Sequence, residues 1–169
     1  MNRVLESGIL AQGPEVAAFE NEFSATVQGR HCAAVNSWAS VLHLGLLAAG
    51  IGPGDEVIVP SSTLAATANA VVLSGATLVF VDIDSATYRM SPEVAAEAVG
   101  PRTTALLSVH LFGHLADLPE LIALAQRNGL MVFEDATQAH LSEHSGIPVG
   151  CHRSVAAFSF YSTKSMTTG

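Results

Sequence analysis

The sequence predicts an α/β protein with a mostly parallel central sheet and helices on both faces. Three observations carry that expectation. Short apolar runs, often β-branched, alternate with stretches of helical periodicity. Hydrophobic residues make up 49% and charged residues 13% of the 169 residues, enough to cover a sheet on both sides. Helix-length stretches, with no hairpin signal in most cases, separate the strand-like runs, which implies parallel pairing through right-handed crossovers.

Taken in order, Pro14 opens a helical pattern in which Val16, Phe19, Glu20 and Phe23 recur at helical spacing. After Gly29, Cys32-Ala33-Ala34-Val35 reads as a short buried strand. Asn36 to Ser40 forms a turn, and Val41 to Ala49 a helix closed by Gly50 and Gly52-Pro53-Gly54. Glu56 to Pro60 is the next strand, and Ser61-Ser62-Thr63 is expected to cap a helix from Ala65 to Ser74, ended by Gly75. Thr77 to Asp82 is again a strand. Ser91 at the N-cap and Pro92 at the first helical position start a further helix. Ala105 to His110 makes a strand and Leu118 to Asn128 an amphipathic helix stopped by Gly129. Leu130 to Phe133 is a strand that delivers Glu134 and Asp135 at its carboxyl end. The run Ala157 to Phe160 is strand-like and leads to Lys164. No linker, repeat or low-complexity segment divides the chain, so residues 1–169 read as one domain.

Composition narrows the function. A net charge of -8 argues against a nucleic-acid or anionic-membrane partner. Cys32 and Cys151 form no C-x-x-C pair, and a reduced cytosolic compartment is their simplest home. The N-terminal residues carry no apolar signal region, and no apolar run is long enough to span a bilayer. The four-residue spacings His110/His114 and His140/His144 lack the glutamate and third ligand of a zinc site. No G-x-G-x-x-G follows a strand, which leaves a nicotinamide-binding domain a distant reading.

In open α/β sheets ligands sit beyond the carboxyl ends of the strands. Four such places are polar here: Ser37 to Ser40, Ser61 to Leu64, Asp135 to His140 and Ser159 to Lys164. Lys164 is the only lysine; the six other basic residues are arginines. A desolvated lysine amine can attack an aldehyde, which arginine cannot do. With a carboxylate for a pyridine nitrogen, and hydroxyls and helix-start amides for a phosphate, the set suits pyridoxal phosphate. Each part has a plainer alternative. Ser37 or Ser40 can be an ordinary N-cap, and Asp135 a cap or a solvated loop acid.

The residues in turn resemble the DegT/DnrJ/StrS sugar aminotransferases, fold-type-I enzymes that use pyridoxal phosphate. The resemblance runs through Ser7-Gly8, Gln12-Gly13-Pro14, Gly50 to Ser61, Ala66 to Ala70 and Phe80 to Asp84. It continues through Val109-His110 with Gly113, Glu134 to His140, Phe158-Ser159-Phe160 and Lys164, to Thr167-Thr168-Gly169. It implies an aspartate-aminotransferase-like large domain, and a reaction that moves an amino group from glutamate or glutamine to a nucleotide-linked keto sugar or related cyclitol. It implies that Lys164 forms the internal aldimine and shuttles the proton, and that Asp135 pairs with the pyridine nitrogen. By the same resemblance Gln138 lies beside the ring, Ser159 binds the phosphate, Ala39 and Ser40 offer it backbone N–H groups, and Leu64 occupies the ring-stacking position. A cytoplasmic homodimer is implied for the full-length form.

This chain departs from the family pattern at several points. Trp38-Ala39 stands where Gly-Thr is usual, Leu64 where an aromatic often stacks, and Arg153 and Leu141 where glycine is common. Family members continue past Gly169 into further strands and a small C-terminal domain, so residues 1–169 read as an N-terminal part truncated before it. The competing reading is a non-catalytic fragment or pseudoenzyme with a binding or regulatory role.

Overall fold

The computed structural model describes residues 2–167. The chain forms two compact units, one reaching to Val35 and one beginning at Asn36.

The first unit holds α1 (Asn2–Ser7) and α2 (Pro14–Thr26). Pro14 starts α2 where its missing N–H costs nothing, after Gly13. Phe19 and Phe23, one helical turn apart, stack with ring centroids 6.0 Å apart. The expected strand at Cys32–Val35 is absent. The Ala34 N–H, which a strand would commit to a ladder, instead donates to Glu20 Oε1 of α2 at 2.8 Å.

The second unit is the α/β layer structure. Its elements are α3 (Trp38–Ala48), β1 (Glu56–Pro60), α4 (Ala65–Ser74), β2 (Thr77–Val81), α5 (Pro92–Ala98) and β3 (Thr103–Val109). A 3-10 turn (Leu111–Gly113), α6 (Leu118–Asn128), β4 (Met131–Asp135), β5 (Glu143–His144), β6 (Ile147–Pro148) and β7 (Val155–Ala157) follow. Among the described residues, β2-β1-β3-β4-β7 form one sheet whose pairs are all parallel.

Alternation along the strands separates two cores. Val57 and Val59, Ala105, Leu107 and Val109, and Phe133 share one face with Leu42 and Leu46 of α3 and Ala70 and Val71 of α4. Ile58, Leu106 and Val132, aligned across three strands, face the other side with Ala95 of α5 and Leu121, Leu124 and Ala125 of α6. A fully buried leucine such as Leu121 stabilises by about 1.5–3 kcal/mol. Gly75 ends α4 at φ 86°, and a Cβ there would lie 2.9 Å from Pro53 Cγ, so glycine is required by conformation and by space.

Three expectations are corrected in this unit, and one hairpin is added. Helix α4 starts at Ala65 with Leu64 as its cap; Thr63 turns its hydroxyl to the Thr67 side chain rather than to a backbone N–H. Helix α3 starts at Trp38, three residues before the expected start. The strand leading to Lys164 stops at Ala157. Strands β5 and β6 pair antiparallel through Ser145 and Gly146, both at positive φ (52° and 77°), a hairpin the sequence reading did not anticipate.

Candidate functional site

The chain leaves β1 for β2 on one side and returns to β3 on the other. The crevice beyond the carboxyl ends of β1 and β3 is thus the topological switch point, where such sheets bind ligands. A small open cleft lies there, lined by Trp38, Thr63, Leu64, Val109, His110, Leu111, Asp135, Thr137, Gln138 and Lys164.

Asp135 ends β4 and is 4% exposed. It shares the parity of Phe133 and so faces the α3–α4 layer, where Thr67 of α4 donates its hydroxyl to Asp135 Oδ2 at 2.9 Å. Thr63 Oγ1 lies 2.8 Å from Thr67 Oγ1. The other carboxylate oxygen accepts the Thr137 N–H at 3.2 Å and the Thr137 hydroxyl. Burial pushes the Asp135 carboxyl above its usual 3.8, and the donors from Thr137 and Thr67 offset only part of that effect.

Glu134, one residue earlier, points to the opposite face and meets a different fate. His110 Nε2 is 2.9 Å from Glu134 Oε2, with both side chains fully buried. The Ala116 N–H donates to His110 Nδ1 at 3.0 Å, which fixes the ring proton on Nε2, where it is given to Glu134. The Gly150 N–H, at 3.3 Å, and the Ser154 hydroxyl complete the set. Burial acts to raise the Glu134 carboxyl, but the His110, Ser154 and Gly150 donors outweigh it and carry the group below its usual 4.5. His110 therefore has both nitrogens committed, which removes it from any metal set with His114.

Gln138 is oriented by its neighbour: its Oε1 accepts the Phe112 N–H at 2.6 Å, which leaves its amide nitrogen as a donor for the cleft. Phe112 itself sits at φ 56° and is 84% exposed. Lys164 is half-buried, and its own N–H closes a turn onto the Tyr161 carbonyl at 2.9 Å. Leu64 also lines the cleft but remains 61% exposed. Of the site residues expected from the sequence, Asp135, Gln138, Leu64 and Lys164 thus share one cleft.

Ser159, Ala39 and Ser40 are not among its lining residues. The Ser159 hydroxyl accepts the Tyr161 N–H at 3.4 Å. Ser37 is the N-cap of α3, and its hydroxyl accepts the Ser40 N–H at 3.3 Å. One of the two amides expected to meet a phosphate is therefore already engaged. Near Ser159, His140 packs against Phe158 and Phe160 with ring centroids 5.6 and 5.2 Å away. Burial, with a smaller contribution from the Lys164 charge, lowers its basicity.

The sequence reading placed Thr63 and Thr137 in polar segments at strand ends without giving either a role, and missed the role of Thr67 and the locking of Glu134. Two signals were available. Thr63 and Thr67 have the i, i+4 spacing of side-chain neighbours on a helix, and strand parity sends Glu134 and Asp135 to opposite faces. The glycine departures also acquire a conformation: Leu141 and Arg153 have φ of 60° and 55°, in the left-handed region that favours glycine.

The donor set fits an anionic, ring-bearing cofactor. Trp38 lines the cleft, yet its indole N–H is buried with no acceptor among the described residues. A buried donor of that kind ordinarily has a partner.

The model of the DegT/DnrJ/EryC1/StrS aminotransferase family matches residues 1–169. The chain belongs to that family. It is 48% identical over 164 residues to the dTDP-3-amino-3,4,6-trideoxy-alpha-D-glucose transaminase of Streptomyces venezuelae, covering 97% of this chain and 43% of that protein. The crystal structure of S. venezuelae DesV in complex with a ketimine intermediate superposes with a TM-score of 0.95 at 48% identity, over 98% of this chain and 45% of that one. The structure of NtdA from Bacillus subtilis with bound cofactor PMP gives 0.90 at 35% identity, over 98% of this chain and 37% of that one. The chain thus spans under half the length of these relatives, and its fold is that of the portion it matches.

Proposed function

We propose that the whole protein is a pyridoxal-phosphate-dependent aminotransferase that moves an amino group from glutamate or glutamine to a nucleotide-linked keto sugar or a related cyclitol. Residues 1–169 would be its cofactor-binding large domain, and the protein would act as a cytoplasmic homodimer. One observation carries the reading: the chain's only lysine and a buried, hydrogen-bonded carboxylate line the same cleft at the switch point of the sheet. The names of the relatives, a dTDP-amino-sugar transaminase among them, support the substrate class.

Pyridoxal phosphate supplies an aldehyde that an amine can attack and a ring that takes up the electron pair released at the substrate carbon. Asp135, held by Thr67 and Thr137, would accept the pyridine N–H and keep that nitrogen protonated. A positive partner reverses the burial effect that raises the Asp135 carboxyl when it stands alone. Lys164 is the base that takes a proton from the substrate carbon at Nζ and returns it. Gln138, with its carbonyl tied to the Phe112 N–H, would offer its amide N–H to the ring's phenolic oxygen. The Trp38 indole, the Ser159 hydroxyl and the Ala39 amide would be the donors for the phosphate, joined by the Ser40 amide if Ser37 releases it.

The competing reading, a protein that binds without turnover, is favoured by the Ser37 hydroxyl on the Ser40 amide. Single-turnover transfer separates the two. Protein loaded with pyridoxal phosphate and mixed with glutamate is expected to release 2-oxoglutarate in an amount equal to the bound cofactor. Cofactor bound with no 2-oxoglutarate released from glutamate, and no oxo acid from glutamine, would favour the competing reading.

A further inference from the structure

Among the described residues, Asp135 is the only acid on the cleft wall, and burial works against its charge. What holds it is a chain of hydroxyls with a fixed direction. An ionised carboxylate only accepts, so the single Thr67 proton is committed to Asp135 Oδ2 at 2.9 Å. The Thr67 oxygen then accepts from Thr63, whose Oγ1 is 2.8 Å away. Thr67 is fully buried and Thr63 lines the cleft, so the chain runs from the cleft wall through the first turn of α4 to the carboxylate. Helix α4 carries no ionisable residue, which leaves these hydroxyls as its contribution to the charge of Asp135. The charged and titratable groups around Asp135 are His110 at the end of β3, Glu134 beside it on β4 and Lys164 on the cleft wall. His110, though it lines the cleft, has its Nε2–H occupied by Glu134, whose side chain points to the opposite face of the sheet.

We propose that Thr67, backed by Thr63, is a positioning residue that keeps Asp135 ionised and oriented to receive a pyridine N–H in the cleft. The inference deepens the aminotransferase reading and rests on it for the identity of the ligand. Thr67 does not touch the ligand. It acts through Asp135, and Thr63 acts through Thr67.

The test uses Thr67→Val, which keeps the shape and loses the hydroxyl, Thr67→Ser, which keeps the hydroxyl, and Thr63→Ala as a milder change at the cleft wall. The first readout needs no cofactor: the protonation midpoint of Asp135 followed by ¹³C NMR of aspartate-labelled protein, assigned with Asp135→Asn. Thr67→Val is expected to move the midpoint upward by about one unit or more, as loss of a hydrogen bond to a charged group requires. Thr67→Ser is expected to restore it, and Thr63→Ala to move it by less. The second readout is pyridoxal phosphate affinity from quenching of Trp38 fluorescence. It is expected to fall about tenfold or more in Thr67→Val, and to fall most at low pH.

An unchanged midpoint and unchanged affinity in Thr67→Val would overturn the proposal, as would a Thr67→Ser variant that behaves like Thr67→Val. A midpoint that shifts as expected in Thr67→Val, with a wild-type protein that binds no pyridoxal phosphate, would retain the Thr67–Asp135 coupling. It would overturn the aminotransferase reading, and with it the pyridine role.

Discussion

Glu134 and Asp135 are adjacent, both buried and both acidic, yet removing their charges is expected to have opposite consequences. In Glu134→Gln the amide oxygen can keep the His110 Nε2–H and the Gly150 N–H, and the amide nitrogen then faces the Ser154 hydroxyl, which must turn to accept. His110 cannot adapt by moving its proton, because Nδ1 already accepts the Ala116 N–H. Taking the charge out of these buried hydrogen bonds costs about 2 kcal/mol, or about 4–8 °C in midpoint for a protein of this size. Asp135→Asn removes a buried charge and can keep its oxygen on the Thr137 N–H while its amide faces the Thr67 hydroxyl, which can turn and accept, so its stability is expected to stay within about 1 kcal/mol of wild type or to rise.

The pH dependences separate in the same way. The folded Glu134 carboxyl lies below its usual 4.5, so its contribution is complete above that value and is lost as pH falls through the lower folded value. The folded Asp135 carboxyl lies above its usual 3.8. Its contribution is therefore complete below 3.8 and is lost as pH rises through the folded value. Urea unfolding of both variants between pH 3 and 7 reads all of this. Refutation would be a Glu134→Gln protein as stable as wild type near neutral pH, or an Asp135→Asn protein less stable than Glu134→Gln.

Three further outcomes follow from local geometry. Leu141→Gly and Arg153→Gly relieve left-handed backbone at φ of 60° and 55°, and each is expected to raise unfolding free energy by up to about 1 kcal/mol. Ser37→Ala removes the N-cap of α3 and is expected to cost about 1 kcal/mol in the same measurement. Because it also releases the Ser40 N–H, Ser37→Ala is expected to hold or improve affinity for pyridoxal phosphate despite that loss, as read by Trp38 quenching.

The sheet was legible because strands such as Glu56–Pro60, covered by helices on both faces, are written as continuous apolar runs, and helices such as Leu118–Asn128 carry both period and stop signal. What the sequence hid were the places where a side chain replaces a backbone partner. Glu20 takes the Ala34 N–H and cancels a strand. Thr63 spends its hydroxyl on Thr67 and leaves Leu64 to start α4. The site divides along the same line. Lys164 and Asp135 stood out by rarity and by position at a strand end, whereas Thr67 reaches Asp135 only through the packing of α4 on the sheet. Short hairpins such as β5–β6, with Ser145 in the left-handed region, give almost no pattern to read.

The central claim is that Lys164 and Asp135 make one cofactor site, and borohydride trapping tests it most directly. Protein mixed with pyridoxal phosphate is expected to develop a visible absorption band. Reduction should then fix the cofactor to the peptide containing Lys164, while Lys164→Ala shows neither band nor label. A label that maps elsewhere, or a band that survives Lys164→Ala, would contradict the assignment of the site.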